Sequence, residues 1–369
     1  MNNKRMEKFN MNSQLFSSMK KEEAVRLGIL KEGIQLITHE IHLPLYGQVI
    51  PRVEIQITGD NFEKRVTVRI NQASNFMFDG NRIISMINDD IIEVRAKLCF
   101  DEERNKLGMY NFGLMRENGI RSFVFDYHTY CCYSCEFCFK ENEWENLALE
   151  GYTGNSYQNN YDKCIEYVHT HAEKLVNGYD IIWLCTGSIE DLELELERHC
   201  KLARALREIG YQGGIYLSQV IPKSIVREQT VRRTYLEKLY EAGVSRFNSG
   251  VEIVNQEFRK KYIHGYKSDI TFEDYVNTFK DAIDIFGHHN VGSCLLAGIE
   301  KAEDTIKGLE VISEIGVVPA PTVFTPFVKK QEQIPFMLSY DELLKLNKDF
   351  NALISKYKLP VFSGVFSLA

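Results

Sequence analysis

Two hydrophobic rhythms divide the chain. Between about Gly33 and Cys99, the runs at residues 52–57, 64–70 and 92–98 place an apolar side chain at every second position. That is the period of half-buried antiparallel strands. Asp79-Gly80 and the cluster at residues 88–90 supply turn chemistry between them, and a short helical start near residues 21–27 comes first. From Arg121 onward, strand-like runs at residues 122–127, 180–186, 214–220, 245–253, 290–299 and 317–325 alternate with amphipathic stretches at 192–209, 234–242, 271–286, 303–315 and 340–357. Six successive β/α units predict a parallel sheet with right-handed crossovers, too few to close an eight-stranded barrel. The expected architecture is therefore α/β. A small, mostly β domain at residues 1–118 precedes a partial (β/α)6 barrel at 119–335, and a C-terminal helix and tail occupy 336–369.

Composition narrows the classes of function. With 44% hydrophobic and 12% aromatic residues over 369 positions, the chain can bury a large core. A formal net charge of −7 gives no general basic field for nucleic acid or anionic lipid. No run of about 18 apolar residues occurs, and the polar segment at residues 1–10 has no signal-peptide character, so the cytoplasm is the expected compartment. Nine cysteines in such a chain point to metal or redox chemistry rather than disulfides, the more so because four lie between Cys131 and Cys138.

Those four stand in the order Cys131, Cys132, Cys135, Cys138, just after the first barrel strand, with Phe137 before the last. Three thiolates can hold three irons of a cubane and leave the fourth open. Zinc would need a fourth ligand, for which Cys132 or His128 is available. The spacing of Cys131, Cys135 and Cys138 with Phe137 resembles the signature of the radical S-adenosylmethionine (SAM) superfamily, over roughly residues 120–330. Its motif pattern is closest to the biotin synthase and hydrogenase-maturation branch. The resemblance implies a [4Fe–4S] cluster on those three cysteines, with Cys132, Cys135 and Cys138 as the alternative triplet. It also implies SAM as co-substrate, a small-molecule substrate, and an electron donor such as flavodoxin or ferredoxin.

Further expectations come from the same family pattern. Gly187, Ser188 and Glu190 resemble the motif whose backbone carbonyls receive the methionyl ammonium, although Ser188 could equally cap the following helix. Ser218, at the third strand end, would lie near the SAM carboxylate or ribose, or be a solvated strand end. Glu252 would accept the ribose hydroxyls, or stand as an exposed acid. The branch's carboxylate-binding arginine falls at Tyr275, with Arg259, Lys260, Lys261 and Lys267 as possible substitutes. Cys185 and Cys294 raise a sulfur-inserting alternative with a second cluster, against a plain reading as buried thiols. A non-catalytic zinc or iron–sulfur protein is the third class. Lys329 and Lys330 are candidates for contacting an anionic substrate, or ordinary surface lysines.

Overall fold

The computed structural model describes residues 18–37, 50, 52–87, 90–99, 112–117, 120–128, 131–138 and 156–360. Residues 88 and 89 of the expected turn cluster lie outside this set. The helical start is α1 (Lys21–Glu32), and the alternating runs build a sheet from β1 (Gln35–Leu36), β2 (Arg52–Gly59), β3 (Phe62–Arg69), β4 (Met77–Phe78), β5 (Arg82–Ile87) and β6 (Asp90–Leu98). Their order is β1-β4-β5-β6-β2-β3, antiparallel throughout except for the β1·β4 pair. One face is dry: Ile55, Ile57, Val66, Ile83 and Val94 are buried together with Ala24, Leu27 and Ile29 of α1. The other face carries charge, including the exposed Arg82–Glu93 pair at 2.7 Å.

The second sheet is the chemical scaffold. It starts before the change of rhythm, because β7 (Phe112–Glu117) pairs antiparallel with β8 (Ile120–Phe125). Five parallel strands follow: β9 (Ile181–Cys185), β10 (Gly214–Ser218), β11 (Arg246–Asn248), β12 (Val291–Ala297) and β13 (Val318–Val323), neighbours in that order. Helices α2 (Ser156–Thr170), α3 (Ala172–Gly178), α4 (Leu192–Glu208), α5 (Lys223–Val226), α6 (Gln229–Glu241), α7 (Gln256–Tyr262), α8 (Phe272–Phe286) and α9 (Ala302–Glu314) fill the connections. Phe123, Phe125, Ile182, Leu217, Phe247 and Leu295 are buried on the strands, while Trp183, Ser218, Arg246, Asn248, Cys294 and Ala320 of the opposite parity line one common cavity, so the sheet is concave. The expected partial (β/α)6 barrel is therefore present.

Its open edge is written into β13. Phe324 donates its N–H to Ala297, so the even-numbered residues of β13 bond to β12 and the odd ones face outward. Pro319 and Pro321 are odd, and their missing N–H groups fall on the side where a further strand would have to pair. C-terminal α10 (Tyr340–Tyr357) then joins the two sheets: it packs on α9, its Tyr340 hydroxyl donates to Ala24 of α1, and Asn347 donates to Glu23 at 3.1 Å.

The fourth barrel strand departs from expectation. Regular pairing ends at Asn248, and Glu252 takes a left-handed backbone, φ 63°. Such a residue persists only when its surroundings over-determine it. Here they do: buried Arg259 donates to the carbonyls of Val251 (2.7 Å) and Ile253 (3.1 Å), while buried Glu300 accepts from the N–H groups of Val254 (3.0 Å) and Asn255 (2.7 Å). A guanidinium grips the carbonyls and a carboxyl group the amides of one short segment.

Candidate active site

The cysteine loop follows the carboxyl end of β8 and is tied down on three sides. Toward β9, Cys132 N–H donates to Ser188 O at 2.8 Å and Gly187 N–H to His128 O at 3.1 Å. Toward α7, Glu136 N–H donates to Tyr262 O at 2.9 Å. From the segment after β13, the amide nitrogen of fully buried Gln331 donates to Glu136 O (3.0 Å) and Cys138 O (3.1 Å), while its oxygen accepts from Phe327 N–H at 2.8 Å. That segment is braced by the first sheet: Arg52 lies over the Phe327 ring at 4.0 Å and donates to Pro326 O, and Ile50 N–H donates to Phe327 O at 2.9 Å.

Of the thiols, Cys135 is buried, Cys131, Cys132 and Cys138 are half-buried, and none of the four forms a disulfide. Burial pushes the Cys135 thiol up, while Lys267 pulls it back; Cys138 and Cys131 both act on it electrostatically. Cys132 is pushed up to about 12, by burial and then by neighbouring Cys131. Cys135 thus senses both other members of the expected triplet. Among the described residues, no group of three or more His, Cys, Asp or Glu side chains could hold a single metal ion. A cubane makes a different demand, because each thiolate meets its own iron. The donor set fits that demand: three thiols on one pinned loop at a strand end. Of the fourth ligands available to zinc, His128 is already committed: Arg198 donates to its Nε2 at 3.1 Å, which leaves Nδ1–H to donate to Gly187 O at 2.9 Å.

Beneath the loop lies a polar layer that periodicity does not show. Buried Glu195 accepts from Ile189 N–H at 3.1 Å and approaches His199 at 3.5 Å, and the Tyr127 hydroxyl meets His199 Nδ1. Glu195 and His199 occupy positions of α4 that read as one more amphipathic face, so their signal in the sequence was charge at apolar spacing.

The remaining expected residues are placed as follows. Phe137 is buried beside Cys135, in a cluster with Ile253, Tyr262 and Phe324. Gly187 and Ser188 are buried at the contact with the cysteine loop, whereas Glu190 is exposed. Ser188 is not the helix cap; Asp191 caps α4, accepting from Leu194 N–H at 3.0 Å. Ser218 sits deeper, on the interior cavity. Glu252 pairs with Lys267 at 2.6 Å. Burial disfavours the Lys267 ammonium, but Cys135, Glu252 and Tyr275 outweigh it and hold the group above its ordinary range. Of the four basic candidates, Lys260 and Lys261 are exposed, Arg259 serves the backbone and the Tyr275 hydroxyl (3.0 Å), and Lys267 faces the motif. Cys185 is exposed rather than buried; Cys294 is half-buried, donates to Thr322 Oγ1 at 3.4 Å, and is pushed up to about 11 by burial. Lys329 and Lys330 are exposed, and Lys330 borders an outer cleft with Ser134, Glu136 and His264.

No family model matches the chain, and no curated protein matches it. Solved structures do. Methylornithine synthase is similar at 16% identity and a TM-score of 0.44, over 64% of this chain and 62% of that one. The FeFe-hydrogenase maturase HydG from Carboxydothermus hydrogenoformans gives 12% identity and 0.42, over 65% and 53%. Coproporphyrinogen III oxidase from Escherichia coli, a radical SAM enzyme, gives 15% and 0.39, over 53% and 46%. The chain spans less than two thirds of each of these proteins. The likeness lies in the run of strands and helices, and no residue's role is carried over from it.

Proposed function

We propose that this chain is a radical SAM enzyme acting on a small molecule. One observation carries the reading. The three thiols of Cys131, Cys135 and Cys138 sit on a loop at the carboxyl end of the first parallel strand, bonded through Cys132 to the Gly187–Ser188 turn at the end of the next. Cys131, Cys135 and Cys138 would hold a [4Fe–4S] cluster, Phe137 would shield it, and the backbone at Gly187–Ser188 would receive SAM, with Glu252 facing the same loop. When bound and reduced, that pair supplies a 5′-deoxyadenosyl radical able to abstract hydrogen. The chain's own contribution is positional: Gln331, His128 and Tyr262 hold the loop still, and the concave sheet would keep water from a carbon reacting within it.

Residues 119–335 would form the catalytic unit together with β7 (Phe112–Glu117) at its sheet edge, the rest of 1–118 would be an added brace, and 336–369 the closing segment. A flavodoxin or ferredoxin would deliver the electron in the cytoplasm. Among the described residues, no helix is long and apolar enough to cross a membrane. The test is anaerobic: reconstituted chain, dithionite and SAM should yield 5′-deoxyadenosine, and Cys135→Ala should yield none. About four irons per chain fits this reading. Six or more would favour the sulfur-inserting alternative, and zinc in place of iron would end both.

A further inference from the structure

A buried ion pair stands against the cysteine loop, and packing alone does not account for it. Lys267 belongs to the short turn Gly265–Asp269 and is only 5% exposed, with its ammonium 2.6 Å from the Glu252 carboxylate. Taking both charges out of water is costly, and apolar side chains of similar volume commonly replace such a pair without loss of stability. What the two charges act on is therefore the question.

Both partners are held in place. Arg259 donates to Lys267 O at 3.1 Å, and Gln256 donates to the neighbouring Ser268 O at 3.0 Å, which fixes the turn. Glu252 is stitched to β12: its N–H donates to Cys294 O at 2.8 Å, and its carbonyl accepts from Leu296 N–H at 2.7 Å. The segments that carry the pair also touch the cysteine loop. Tyr266, next to Lys267, lies against Tyr133 with ring centroids 6.4 Å apart, and the Tyr262 carbonyl just upstream accepts from Glu136 N–H. Ile253, next to Glu252, packs in one apolar cluster with Cys135, Tyr262 and Ile263. Both ends of the ion pair thus ride on segments that pack around Cys135, in a dry setting where charges act more strongly than in water. Lys267 favours the Cys135 thiolate and Glu252 opposes it.

Three thiolates around a cubane leave the assembly anionic, and reduction adds a further negative charge. Resting on the function proposed above, we propose that Lys267 is the counter-charge that eases this reduction and that Glu252 holds it in place, so that the pair sets the potential at which the cluster accepts its electron. Both act through the cluster and are positioning residues. Their direct effects have opposite signs, because an ammonium favours the added electron and a carboxylate resists it.

A redox titration followed by electron paramagnetic resonance tests this on the full-length chain, reconstituted anaerobically with iron and sulfide and kept free of SAM. At a fixed potential, Lys267→Met should lower the ratio of reduced to oxidised cluster about tenfold, which for one electron is about 59 mV. Lys267→Arg should restore most of the loss. Glu252→Gln keeps an oxygen to accept from the ammonium but removes the negative charge, and should raise the ratio by a similar factor. A purely structural role would move both variants the same way or neither, and either result overturns the inference. Should Lys267→Met lose its cluster because the carboxylate is left unpaired, Glu252→Gln decides alone, and an unchanged or lowered ratio overturns the inference. Metal content and 5′-deoxyadenosine formation by the parent chain are scored separately. A parent that forms the cluster and cleaves SAM, with variants that keep its potential, loses the counter-charge alone; a parent that takes zinc overturns both readings.

Discussion

The two sheets use the same alternation of side chains to opposite ends. In the first, the buried parity is mainly a packing surface, where Ile55, Ile57 and Val66 meet α1, and the outward parity is mostly charged and at least partly exposed, apart from buried Gln56. In the second, helices cover the outer parity, and the inner parity is where Trp183, Ser218, Arg246, Asn248 and Cys294 collect. A sheet with one largely exposed face leaves little dry surface on which polar groups can gather, whereas a covered, concave sheet supplies it. The difference teaches where removing a side chain should change stability alone and where it should change chemistry.

The sharpest way to break this comparison lies in the cysteine loop. Cys131→Ala should abolish iron retention, while Cys132→Ala should leave iron content near that of the parent; iron per chain after anaerobic reconstitution decides, and the reverse pattern would move the triplet by one residue. In the first sheet, Ile55→Ala should lower the unfolding free energy by about 2–5 kcal/mol in a urea titration. It should leave the alkylation rate of Cys138 in the cluster-free chain unaltered under native conditions, and a large change there would tie the packing sheet to the chemistry more tightly than the contacts suggest.

Glu300 provides a pH test of the grip on the Glu252 segment. Burial raises its carboxyl to about 7, against an ordinary 4.5, with the Asn255 and Val254 amides and Thr305 pulling the other way. A raised folded-state value means the native chain binds the proton more tightly than the unfolded chain. Stability from this group is therefore full below about pH 4.5 and lost as pH rises through 7, by roughly 3 kcal/mol. Glu300→Gln should flatten that part of the stability–pH curve, measured by urea midpoints between pH 5 and 8. The smallest expected effect is at Gln331. Gln331→Met keeps much of the length but cannot donate to Glu136 O and Cys138 O, so it should cost about 1–3 kcal/mol and speed alkylation of Cys138. An unchanged alkylation rate would remove Gln331 from the set that holds the loop.

Part of this was legible in the residues. The period-two runs and the β/α alternation specify both sheets because burying one face dictates which parity must be apolar. Pro319 and Pro321 also announce an edge strand, a signal available in the sequence and easily overlooked. Arg246 and Asn248 show the same parity opposite buried Phe247, yet a polar pair on a strand reads as solvent-facing until curvature is known. The runs at 122–127 and 245–253 were less faithful: the barrel sheet gains β7 upstream, and β11 stops at Asn248 because Arg259 and Glu300 bend the chain beyond it.

The sequence by itself determined the local periods, the spacing of Cys131, Cys135 and Cys138 with Phe137, and hence the class of fold and chemistry to expect. Only the tertiary structure decided that Lys267 rather than Lys260 or Lys261 faces the loop, that Gln331 closes it from nearly 200 residues away, and that Arg246 points into a cavity. The physical reason is that periodicity records which side of an element is buried, while partnership between distant polar groups depends on how the elements curve and cross, and no local pattern encodes that.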